Sequence, residues 1–126
     1  MDTFNLEEYR LQFLIVVAMA VLVVSIIPIP DFIETGSSTG SLSIVFHLIG
    51  YATLALLAKP IVRSRFERTR WQVAIITVVG VTGYGALIEL VQAPISYRNA
   101  SVIDVVVNAI GAVIGVIIGT LRPLSR

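Results

Sequence analysis

The side chains able to do chemistry in this chain are few, and most of them are bunched. From Glu89 the sequence reads ELVQAPISYRNASVIDVVVNAIG, which sets Glu89, Gln92, Arg98, Asp104 and Asn108 among small and apolar residues. The single histidine, His47, stands apart from them in sequence. A carboxylate or an imidazole can act as a general base, and a guanidinium holds carboxylate or phosphate through a planar fork of donors. Carboxamides keep such groups hydrogen-bonded. Glu89, His47 and Asp104 are therefore the candidate catalytic groups, and Arg98 is the candidate anion holder.

Other chemistry is excluded or unsupported. With no cysteine and one histidine, a zinc site of the usual nitrogen and sulfur composition cannot be built. A Mg²⁺ or Mn²⁺ site on Glu89 and Asp104 is conceivable, since hard cations take oxygen ligands, but the reading favoured here expects no metal and no cofactor. The sequence carries no phosphate-binding glycine loop, dinucleotide fingerprint or serine-hydrolase elbow. Tyr51, Tyr97 and Ser101 bring hydroxyls that no spacing singles out, and the NAS triplet at Asn99 is too short a match to argue glycosylation.

The elements that position these groups follow from composition. A 126-residue chain that is 56 % hydrophobic and 13 % charged, with mean hydropathy +0.92, is too oily for a soluble domain of this size. The net charge of +1 gives no basic surface for nucleic acid. A hydrocarbon layer of about 30 Å takes about 20 apolar helical residues. Stretches 11–27, 41–58, 71–91 and 102–121 meet that need. The first stops at IPIPD, the second at Lys59 and Pro60, and the residues between them, DFIETGSSTGS, read as a loop. The acidic leading segment MDTFNLEEYR and the lack of a small-residue cleavage pattern favour a retained first helix over a signal peptide. The expected fold is all-α: one domain over residues 1–126, a polytopic membrane protein of four packed helices. Arginine and lysine concentrate in KPIVRSRFERTR and near the ends, so the termini are expected to be cytoplasmic in the cell membrane, with Arg98 alone outside.

That topology carries Glu89 to Asp104, and His47, to one face of the membrane. At 100° per residue Asp104, Asn108, Gly111, Gly115 and Gly119 share a stripe of the fourth span. Its glycines, four residues apart, are suited to close helix packing, either within the bundle or between copies in a homo-oligomer. Thr82, Gly85, Glu89 and Gln92 form a stripe of the third span, and Ser43, His47, Gly50, Tyr51, Leu54 and Ala58 one of the second. These faces are expected to meet. A carboxylate within a membrane needs a partner, which Arg98 or His47 can supply. Such a network can fix helix register with no ligand at all, or it can form a site at headgroup level.

HLIGYATLALL from His47 and ELVQAPISYRNASVIDVVVNAIGAVIG from Glu89 resemble the VanZ-like family of small integral membrane proteins. The resemblance spans the second to fourth helices and implies a signature set of His47, Tyr51, Glu89, Gln92, Arg98, Asp104, Asn108, Gly111 and Gly115. The family often has an Asp-Lys pair ahead of its histidine, where this chain has Ser43 and Ile44, so anion binding falls more heavily on Arg98. The family's name comes from a protein encoded with glycopeptide-resistance genes that is associated with teicoplanin resistance, although most members lack that setting.

Two functions of different class follow as expectations. In the first, an outward-facing pocket binds an anionic lipid headgroup, a lipid-linked envelope intermediate or a lipoglycopeptide through Arg98, His47, Tyr51, Glu89, Gln92, Asp104 and Asn108. In the second, a membrane enzyme modifies a lipid phosphate or acyl group, with Glu89 or His47 as base and Arg98 stabilising developing charge. A transporter is disfavoured by four spans with no inverted repeat.

Overall fold

The computed structural model describes residues 3–28, 39–97 and 100–122. Four helices account for nearly all of them: α1 Thr3–Ile26, α2 Thr39–Arg65, α3 Arg70–Gln92 and α4 Val102–Leu121. Among the described residues there is no strand. Each helix holds a stretch long and apolar enough to cross a membrane, with mean hydropathy from 1.8 to 2.4. At about 1.5 Å per residue, the 20 residues of α4 span the hydrocarbon layer once.

The helix boundaries depart from the apolar stretches in two places. α1 begins at Thr3, ahead of the apolar run, because Leu6, Glu7, Glu8 and Arg10 are good helix formers that carry the helix beyond it. α2 does not stop at Lys59 and Pro60 but continues to Arg65. Proline removes its own N–H and crowds the preceding turn, a penalty of about 3 kcal/mol, yet residues after it still pair with carbonyls four back. Surrounding helices make such a proline tolerable in a membrane span. The loop read between the first two spans lies mostly outside the described residues.

Local chemistry sets the entries to α3 and α4. Thr69 and Gln72 form a reciprocal capping box: the Thr69 hydroxyl accepts from Gln72 N at 3.3 Å, and Gln72 Oε1 accepts from Thr69 N at 3.1 Å. Ser101 caps α4 through its side chain, which accepts from Asp104 N.

Packing is inverted relative to a soluble bundle. The largest wholly buried side chains are Asn108 and Thr77, and the tightest apolar positions include Ala55 and Ala112, each 0 % exposed. Phe46, Leu90 and Val24 stand outward, at 71 %, 69 % and 68 % exposed. Large apolar side chains turned away from a small-residue core are what a lipid solvent permits and water does not. The closest pairing is α2 with α4, made possible by the glycine stripe. A Cβ at Gly111 would lie 2.7 Å from Leu48 O, and one at Gly115 would meet Ala52 O and come within 2.9 Å of Ala55 Cβ. Gly119 has more room, with Leu56 Cδ1 at 3.3 Å from a built Cβ. Of the two packings the glycine ladder allows, the one within the bundle is present: α2 of the same chain lies against Gly111 and Gly115.

Candidate functional site

The site lies at the end of the bundle where α2 begins, α3 ends and α4 begins. The three helical stripes meet there as expected. His47 on α2, Glu89 on α3 and Asp104 on α4 each offer a ligand-type atom, and these atoms all lie within 4.8 Å of one another. Glu89 is 6 % exposed, whereas His47 and Asp104 are half-buried.

Two of these groups, Glu89 and His47, have hydrogen-bond partners. Glu89 Oε2 accepts from the backbone N–H of Ser101 at 2.9 Å, which ties the end of α3 to the start of α4. His47 Nδ1 lies 2.7 Å from Asn108 Oδ1. With the amide in this orientation its oxygen accepts from a protonated Nδ1. The ring also stacks on Tyr51 one turn along, with centroids 6.0 Å apart and planes 4° from parallel. The Tyr51 hydroxyl is within electrostatic range of Tyr84, Glu89 and Asp104.

Beneath this layer the polar character continues. Asn108 is wholly buried, and its Nδ2 has no partner. It lies against Gly85, where a Cβ would come within 2.6 Å of Nδ2 and 2.7 Å of Tyr51 Cε1. Glycine at 85 is what lets α3 approach the Asn108 and Tyr51 side chains. Thr82 Oγ1, on the same stripe of α3, is also buried without a partner.

Gln92 goes elsewhere. Its Nε2 donates to Ser25 O near the end of α1, so this carboxamide joins α3 to α1 instead of orienting the His47 group. Tyr97 donates to Ile26 O at 3.0 Å and Tyr84 to Ala18 O at 2.6 Å. Three polar side chains from α3 and the residues following it therefore dock on α1 carbonyls, two of them in its terminal turn. Arg98 and Asn99 lie outside the described residues.

Sequence reasoning passed over Tyr84 and read Lys59 as a loop charge. Lys59 Nζ in fact donates to Val116 O at 3.2 Å and to Thr120 Oγ1, at the opposite end of the α2–α4 interface. A cation near the last turn of a helix also complements its dipole. Ser101, read only as a hydroxyl of no clear role, serves as the cap of α4 and as the backbone donor to Glu89.

With this geometry in place, the comparison with known families is direct. The model of the VanZ/LLP1 family matches residues 8–122, and the chain belongs to that family. The match takes in α1 as well as the three helices that carry the polar residues. No curated protein and no solved structure matches the chain.

Proposed function

We propose that this VanZ/LLP1 membrane protein binds the polar head of an anionic lipid, or of a lipid-linked envelope intermediate, at the end of the bundle formed by His47, Glu89 and Asp104. The observation that carries the reading is their convergence from three helices onto one polar layer, with the wholly buried Asn108 beneath. Ionisable groups within a membrane are costly to keep and mark sites of function. Arg98 follows Tyr97, which is anchored on α1, and precedes Ser101, which is anchored on Glu89. In this reading Arg98 is the anion holder. The basic residues of the opposite end, among them Arg63, Arg65, Arg68 and Arg70, favour a cytoplasmic position for that end in the cell membrane. The site would then face outward, where a lipoglycopeptide such as teicoplanin would also meet it.

The test is mass spectrometry of lipids that co-purify with the wild-type chain, with Arg98→Lys and with Glu89→Gln, alongside lipidomics of the host membranes. The reading expects one anionic lipid class enriched with the wild type and lost with Arg98→Lys, because lysine keeps the charge but not the fork. Equal lipid profiles for wild type and Arg98→Lys would refute it.

A second reading is favoured by His47. Its ring is held between Asn108 and Tyr51 and lies beside two carboxylates, a placement suited to a general base. Under this reading the chain modifies a lipid phosphate or acyl group. A lipid species that converts only with the wild type, and not with Glu89→Gln, would select it.

A further inference from the structure

We propose that His47, Glu89 and Asp104 form a binding site for a divalent transition-metal cation of the Mn²⁺ or Zn²⁺ type. One nitrogen and two carboxylate donors come from three separate helices, and their ligand atoms lie within 4.8 Å of one another. Bound at about 2.0–2.2 Å, a cation would draw three such atoms to about 3–3.5 Å apart. Half-buried Asp104 is the ligand with most room to move toward the cation.

Charge gives the second argument. With both carboxylates ionised and the imidazole neutral, the state in which they would bind a cation, the triad carries two negative charges, which one divalent cation cancels within an apolar bundle.

The third argument is how the imidazole is held. Metal-binding histidines are oriented by donating their other ring N–H to an oxygen acceptor. With Nδ1 protonated, His47 does this to Asn108 Oδ1 at 2.7 Å, and Nε2 would be the nitrogen left to coordinate. Asn108, 0 % exposed, has no acceptor for its Nδ2 among the described residues, and that atom lies beside Gly85, one turn from Glu89.

The donor set selects the metal. Imidazole suits zinc and other first-row transition metals, and carboxylates suit manganese, whereas an all-oxygen set would be expected for Ca²⁺ or Mg²⁺. Three protein ligands leave at least one coordination position open. The assignment goes beyond lipid binding and does not rest on it.

The full chain, delipidated in detergent and stripped with a chelator, would be titrated with Mn²⁺ alone, with free Mn²⁺ followed by electron paramagnetic resonance. Saturable binding of one Mn²⁺ per chain is expected, displaced by Zn²⁺ but not by equal Mg²⁺. Asp104→Asn and His47→Gln should each weaken it roughly tenfold or more. Glu67→Gln, on the connection at the opposite end, should leave it unchanged. Helical circular dichroism checks each variant, and because Asp104 is half-buried, Asp104→Asn keeps the test valid if His47→Gln does not fold. No saturable binding below ~1 mM would overturn the assignment, as would equal affinity in wild type and Asp104→Asn. Lipid co-purification, measured separately, fails or succeeds without bearing on this result.

Discussion

Gly115→Ala isolates the contact that brings α2 and α4 together. The added methyl would meet Ala52 O and approach Ala52 C and Ala55 Cβ at 2.9 Å. Ordinary contact begins near 3.4 Å, so α4 must retreat by at least roughly 0.5 Å from Ala55, and further from the backbone oxygen, which no side-chain rotation can move. Overpacking of this kind destabilises by about 1–3 kcal/mol, while the better helix propensity of alanine returns up to about 1 kcal/mol. The expected net loss is about 1–2 kcal/mol, a shift of roughly 5–30-fold in the folded-to-unfolded ratio. Gly80→Ala is the matched control, because a Cβ there meets nothing within 4 Å and the propensity gain stands alone. Reversible unfolding of both variants in mixed micelles, followed by circular dichroism, measures the difference. If Gly115→Ala proves as stable as Gly80→Ala, the backbone approach of α2 to α4 is not as described.

Other consequences are as open to measurement. Gln92→Leu removes the donor to Ser25 O and leaves a carbonyl in the terminal turn of α1 unpaired, at a cost of about 1–3 kcal/mol. Spin labels at Val16→Cys and Leu87→Cys, unique because the chain has no cysteine, should then report a broader α1–α3 distance distribution. Tyr84→Phe should loosen α1 less, by about 0.5–1.5 kcal/mol, because Ala18 O lies within the helix and keeps its own intrahelical donor. Thr69→Ala breaks the capping box and should lower stability by about 1 kcal/mol, with faster amide exchange at Gln72 and Val73.

How far the sequence could be read depended on whether a partner was a side chain or a backbone. The stripe of Asp104, Asn108, Gly111 and Gly115 was legible because a spacing of three or four residues places them on one helical face, and that face is the one packed on α2. The meeting of His47, Glu89 and Asp104 followed from the order and direction of the spans. Gln92 was on the correct face but was assigned the wrong neighbour, since nothing in its spacing reveals that the end of α1 needs a donor. Lys59 was misread for the same reason: Val116 O is a backbone atom that any residue at 116 would supply. Pro60 reads as a stop because it lacks an N–H and crowds the preceding turn, whereas the helix runs past it to Arg65.

α1 is attached in an unusual currency of recognition. Gln92, Tyr84 and Tyr97 bind Ser25, Ala18 and Ile26 through main-chain oxygens, atoms that do not depend on which side chains α1 carries. These bonds read the helix as carbonyls at set heights, so the lettering of its outward face is free to drift, while Leu14, Val17, Ala18 and Val21 pack against the core. A first helix of generic composition beside three helices of specific composition is the expected outcome of that arrangement. It also means that exchanging α1 for a foreign apolar helix of the same length should be the mildest large edit this chain accepts.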